Sequence, residues 1–367
     1  MTTDAVPATA TGTLTHRRLP RYAPAVTLAL SAAVGAGLSA AVGFSVPAFV
    51  VGALLAYMTT ITIASGVVEG RRKAVDRLVT SLVYAAFGIA LVPLTSVVWS
   101  VLANGLPRFG AEFLTTSLRN VTGLHDQQAA EGLAPYIGGA YHAVLGTFLI
   151  TALATLISVP VGLLASIYLV EYGRGRLARA ITFFVDVMTG IPSIVAGLFA
   201  AALFGVLFGV GTRNGFAGAV ALSVLMIPVV VRSSEEMLRI VPNELREAAY
   251  ALGIPKWRAV VRVVLPTAIS GIASGITLAI ARVVGETAPL IVTAGFTSSI
   301  NNNPFADWMM SLPAYVYSQA MRPLSGSTPE PSLDRAWAAA LTLVIIVMAL
   351  NLVARLVARL FAPKNSR

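Results

Sequence analysis

Cysteine is absent from all 367 residues. That excludes disulfides, thiolate nucleophiles and cysteine metal sites, although it identifies no compartment. The three histidines, His16, His125 and His142, are scattered without metal-ligand spacing. With no nucleophile–base constellation and no Asp pair in adjoining apolar runs, an intramembrane enzyme has no support. No Gly-x-x-x-x-Gly-Lys-Ser/Thr loop is present to cradle nucleotide phosphates. Charge is scarce as well: 11% of residues are Asp, Glu, Lys or Arg, against about 25% in soluble domains. So little polar material cannot cover a soluble surface of this size.

What is present is apolar. The chain is 56% hydrophobic with a mean hydropathy of +0.80, and about 20 apolar residues cross a hydrocarbon core. Apolar runs lie at 24–44, 46–68, 78–103, 140–170, 181–209, 215–231, 267–296 and 336–357, with Pro160, Pro192, Pro228 and Pro289 marking expected kinks. Residues 1–23 form a Thr/Ala-rich tail expected to be disordered, and 361–367 a second tail. The net charge of +10 is read as a topology signal rather than as a nucleic-acid surface. With the N-terminus inside, alternate connections hold 20 of the 26 Lys and Arg, the opposite side holds five, and Arg282 lies within a run. The prediction is an all-α polytopic membrane helix bundle, with eight spans and both termini cytoplasmic. The first run, after Arg17–Arg21, has some features of a signal peptide. The second run follows so closely that an uncleaved anchor is preferred.

The most informative stretch is the cytoplasmic loop 232–266. Residues 243–252 are good helix formers, Gly253 suits a left-handed stop, and Pro255 suits the first turn of another helix. Pro266 marks the return to the bilayer. Two short helices held between spans make a compact knob that can fit a cleft on a partner and transmit rigid-body motion. An amphipathic loop without a partner is the alternative on physical grounds alone.

Glu247-Ala248-Ala249, then Gly253, then Val263, Leu265 and Pro266 resemble the EAA loop of ABC importer permeases; Val263 stands where Ile is commoner. Tyr168–Gly173, Ile191–Leu198, Arg246–Gly253 and Ile280–Leu290 are similar to the A-type (PstA-like) permease family of phosphate importers. The likeness covers about 78–360, leaving 24–77 as two extra helices and a basic loop. It implies the type I importer permease fold with a six-span core, and no enzyme activity in this chain. It also implies a second homologous permease, an ATPase dimer carrying ATP–Mg, and an external phosphate-binding protein. Glu247, Ala248, Ala249, Leu252, Gly253, Leu265 and Pro266 would then couple to the ATPase. Permeation of another oxyanion or small solute, or an ATP-independent channel or secondary transporter, are the competing functions.

Arg282 and Glu286 are charges in an apolar run, where ionisable groups face a bundle interior or an aqueous path. Their four-residue spacing puts them on one helical face, where they can pair. Gly271 and Gly275 share that stripe and suit close helix approach. Arginine offers a planar fork to an oxyanion at any relevant pH, so Arg282, Glu286 and Thr287 are candidate path residues; a structural ion pair is the alternative. Arg232 is a weaker path candidate, expected to snorkel at a span end. Asp186 and Ser193 are weaker still, and His142 and Glu171 read as interfacial.

Overall fold

A computed structural model of the protein describes residues 19–41, 43 and 45–360. Most of the expected N-terminal tail, His16 and the tail at 361–367 lie outside these. The described elements are helices, with no strand among the described residues. Two compact units divide at Val98/Trp99, inside a helix rather than before position 78.

In the first unit, α1 (Ala23–Ala41) and α2 (Val46–Val68) form a hairpin. Its close approach is set by small residues: a Cβ on Gly35 would stand 2.7 Å from the Ala53 backbone nitrogen. Ser31 and Thr60 hydroxyls meet at 3.3 Å across the same seam. Glu69 ends the hairpin, accepting bonds from the Leu19 N–H and the Ser65 hydroxyl and pairing with Arg77 at 2.8 Å. The Leu19 bond above all holds its carboxyl below the usual range. Helix α3 (Arg71–Gly105) begins in this unit. Its 35 residues span about 50 Å, well beyond the hydrocarbon core, so its basic first turns sit outside the apolar length.

In the second unit, short helices α4 (Ala111–Thr115) and α5 (Gly123–Ala130) precede α6 (Tyr141–Ile167), which continues in a π turn, Tyr168–Tyr172. Next come α7 (Arg176–Thr189), α8 (Ser193–Phe208) and α9 (Gly215–Ile240). Helix α9 is the centre of the bundle. Its Leu222, Met226 and Val230 pack with Ile150 and Ala154 of α6 and with Ala279 and Val283 further along the chain. Glycines bring the helices together: a Cβ on Gly162 would be 2.7 Å from Val230.

Among the described residues, seven helices are long and apolar enough to cross a membrane, or eight if one bent pair is a single span. That pair is α7 and α8, expected as one run over 181–209 and instead bent by 108°. The break falls at Gly190-Ile191-Pro192. Pro192 lacks an N–H to donate backward and its ring disfavours helical backbone at Ile191. The expected eight spans therefore depend on counting this pair as one crossing, as does a six-span core after α1 and α2.

At the end of the bundle opposite the hook described below, α14 (Leu312–Met321) and the start of α15 (Glu330–Leu360) meet α5 around Arg335. Arg335, one residue before the apolar run at 336–357, lies inside α15 and is 1% exposed. Its guanidinium donates to both Asp126 oxygens at 2.8 and 2.6 Å, to Gln319 Oε1 at 2.9 Å and to the Ile137 carbonyl at 3.2 Å. Nearby, Tyr315 donates to the Gly139 carbonyl, and burial pushes its phenol pKa upward. His142 is buried edge-on to Tyr315, with ring centroids 5.4 Å apart.

Breaking a buried pair from one side strands the other charge, at about 3–5 kcal/mol. Arg335→Met is expected to lower the detergent-solubilised thermal midpoint markedly, while Arg335→Met with Asp126→Leu recovers much of the loss. Thermal denaturation of the two variants checks this.

Candidate functional site

Two short elements form a hook between α9 and the next long helix: α10 (Asn243–Ala251) and α11 (Lys256–Ala259). Gly253 has φ +73 and open space around it. It lets the chain reverse while its N–H and that of Ile254 bond the Tyr250 and Ala249 carbonyls at 2.9 and 3.1 Å. Ala249 is buried beneath the hook. Glu247, Ala248, Gly253 and Leu252 are exposed, Leu252 at 80%. They form an outward surface beside Trp257, which is 58% exposed.

The hook is shorter than the loop expected over 232–266. Helix α9 continues to Ile240, and α11 passes through a π turn, Val260–Val264, into α12 (Leu265–Val284). Leu265 and Pro266 therefore do not interrupt the helix. The Leu265 N–H reaches the Val260 carbonyl, five residues back, and Pro266, which has no N–H, sits in the first turn after the π segment.

The hook is tied to the bundle by Arg246 and Glu171, a contact that sequence reasoning missed. Arg246 Nε lies 2.9 Å from Glu171 Oε1, and the same guanidinium donates to the Leu238 and Val241 carbonyls at 2.9 and 2.6 Å. The partners are 75 positions apart, so no local spacing announces them.

Deeper in the bundle, α12 runs antiparallel to α9. A Cβ on Gly271 would meet Met237 Sδ at 2.2 Å, and one on Gly275 would meet Ser233 Oγ at 2.6 Å. The glycine stripe thus seats α12 on α9 of the same chain. Carrying that register two turns onward, about 10 Å along the axis, sets Arg282 level with Met226, near the middle of α9. Arg282 is exposed there.

Arg282 and Glu286 do not share a helical face, because α12 ends at Val284 and Gly285 begins a break. The ion pairs among the described residues include neither of them. Glu286 and Thr287 lie in the break, half-buried, before α13 (Ala288–Thr293). Just beyond this break, α13 is packed against the first turns of α8: a Cβ on Gly197 would stand 2.6 Å from Pro289 Cα. Ser193 is the first residue of α8, directly after the bend.

Arg232 does not sit at a helix end. It is two turns inside α9, donating to Glu235 at 2.9 Å and pairing with Asp186 of α7. Glu235, only 6% exposed at its side chain, also binds Arg239. This ladder fastens α7 to α9 below the level of Arg282.

A long-helix bundle with paired helix breaks, an exposed mid-height arginine and an outward hook defines a membrane transport subunit. Residues 158–367 match the family model described as "Binding-protein-dependent transport system inner membrane component". The phosphate transport system permease protein PstA 1 of Mycobacterium tuberculosis is 45% identical over 300 residues, covering 81% of this chain and 91% of the relative. PstA of Pasteurella multocida is 36% identical, covering 81% and 97%. A bacterial alginate ABC transporter crystallised with its alginate-pentasaccharide-bound periplasmic protein has a chain of the same fold, with TM-score 0.54 and 14% identity over 78% of this chain and 96% of that one. The chain belongs to the binding-protein-dependent inner-membrane component family and, within it, to the PstA phosphate transport permeases. Its fold is that of type I ABC importer permeases.

The contact of α8 with α13 tolerates no added bulk, since the obstacle at Gly197 is backbone. Gly197→Val is expected to reduce transport at least about tenfold, consistent with misplacing groups by about 1 Å, while Gly205→Val, in open space, leaves it near normal. Uptake normalised to membrane-inserted protein checks this.

Proposed function

We propose that this chain is the membrane-spanning subunit of an ATP-driven importer of inorganic phosphate in a bacterial cell membrane, with its hook on the cytoplasmic side. It forms the path with a second, homologous permease. The observation that carries the reading is an arginine exposed at mid-height of an otherwise apolar bundle, next to two helix breaks. A guanidinium does not face lipid tails without cost, so this face is covered by protein and an aqueous path.

Arg282 meets phosphate through paired donors and remains charged throughout. Glu286 and Thr287, in the break one turn beyond Arg282, line the way onward. The carboxylate limits how tightly an anion is retained, as a site in a transport path requires. An external phosphate-binding protein delivers the substrate. ATP–Mg is held by a separate ATPase dimer whose clefts receive the surface around Glu247, Ala248, Leu252 and Gly253. Closure of that dimer draws two hooks together and opens the path outward; hydrolysis resets it. The broken helices suit this role, because backbone irregularity at membrane depth is tolerated where it lines a cavity. Arg232 is bound by Asp186 and Glu235, so its part is to brace α7 against α9.

Arg282→Gln is expected to abolish labelled-phosphate uptake in a normally assembled complex, and Arg282→Lys to retain a small fraction. Wild-type rates with both variants would refute the path role, and preferential uptake of sulfate or molybdate would refute phosphate as the substrate. Separately, Glu247→Ala with Gly253→Val is expected to release the ATPase in a mild-detergent pull-down; retention of the ATPase with undiminished import would refute the coupling role.

A further inference from the structure

The hook has two attachments to the bundle, and they differ in kind. One is covalent, through the π turn Val260–Val264 into α12. The other is Arg246, whose five donors reach three elements at once. Nε and Nη2 each lie 2.9 Å from Glu171 Oε1, in the π turn that ends α6. Nη2 and Nη1 reach the Leu238 and Val241 carbonyls at the end of α9, and Nη1 approaches Asn243 Oδ1 at 3.3 Å at the start of α10.

Those carbonyls belong to a helix terminus, where acceptors have no partner in the helix itself. The side chains of Glu171 and Arg246 are 4% and 12% exposed, so the pair is shielded and its geometry is set by five contacts rather than one. A π turn inserts a residue into the helical phase, and such turns recur at functional sites. Here it carries the buried carboxylate that meets the hook. Arg246 immediately precedes Glu247, on the exposed surface. A force applied to that surface reaches the ion pair within one residue.

We propose that the Glu171–Arg246 pair is the joint that transmits hook movement into the ends of α6 and α9, so that α10 and these two ends move as one body. Both are positioning residues for transport, contacting neither ATP nor phosphate. This rests on the reading that a partner ATPase drives the hook. The route through the π turn then guides α12, while the ion pair drives the α6–α9 core to which α12 is packed.

The test uses the full complex reconstituted in liposomes. In Glu171→Gln the ATPase remains attached and hydrolysis continues, while phosphate imported per ATP falls about tenfold, within the range for residues along a coupling route. Arg246→Lys, which keeps the charge and loses the fork, lies between this and wild type. Unchanged import per ATP in Glu171→Gln would overturn the proposal. So would loss of ATPase attachment in that variant, since the pair would then be shaping the socket.

A second measurement does not depend on either variant folding. The chain has no cysteine, so spin labels can be placed at Glu244→Cys on α10 and Arg174→Cys just beyond the α6 π turn, both exposed positions. Their separation is expected to stay within about 2 Å between nucleotide-free and ATP-trapped complexes; a change of about 5 Å or more, the scale of a one-turn slip, would overturn the proposal. A wild-type complex that hydrolyses ATP but imports a different solute refutes the phosphate reading alone, and the label separation still decides the joint.

Discussion

A guanidinium exposed halfway along an apolar bundle is the constraint from which the rest of the account follows. Insertion scales put the cost of arginine at the centre of a membrane helix at about 2.5–3.5 kcal/mol, several times what a surface hydrogen bond contributes. Among the described residues Arg282 has no carboxylate partner: Glu286 lies past the end of α12, and Asp186 and Glu235 are taken by Arg232 and Arg239. On the proposed function, the molecule is one side of a larger assembly. Its well-packed side is built on α9, where glycines admit α6 and α12. Its open side carries the arginine and the two helix breaks.

The same packing explains how a push at the basic end of the bundle can matter at mid-height. Gly271 and Gly275 hold α12 against α9 with no space to spare, and interiors this dense pass displacement on rather than absorbing it. Arg232 ties α9 to α7, and Gly197 ties the first turns of α8 to Pro289. Movement at the end of α9 thus has a continuous protein route to the break beside Arg282. Ions carry the connection near the polar end, and glycine contacts carry it deeper, where exposed backbone and charge cost most.

Much of this was legible in the sequence. Hydropathy located the long helices, since each needs a run of apolar residues whatever it packs against. The order Glu247, Gly253, Pro255 marked the hook, because left-handed backbone and a missing N–H leave local signatures. Breaks were harder to read. Pro192 suggested a kink, but a bend of 108° also needs the surface on which α8 lies. Pro266 suggested a boundary, and a π turn removed the need for one. The four-residue spacing of Arg282 and Glu286 implied a pair only while the helix continued. The contacts of Arg335 with Asp126 and of Arg246 with Glu171 join residues 209 and 75 positions apart, distances at which single-chain patterning carries no information.

Replacement of Arg282 by cysteine in this cysteine-free chain gives the most direct measurement of its surroundings. In the assembled complex, a charged, membrane-impermeant thiol reagent applied from the two faces of the membrane in turn reports whether position 282 meets water. Labelling that switches face between nucleotide-free and ATP-trapped states is the result expected if the arginine lines an alternating path. Reaction with lipid-soluble reagents alone, in both states, would place it against hydrocarbon and contradict the account.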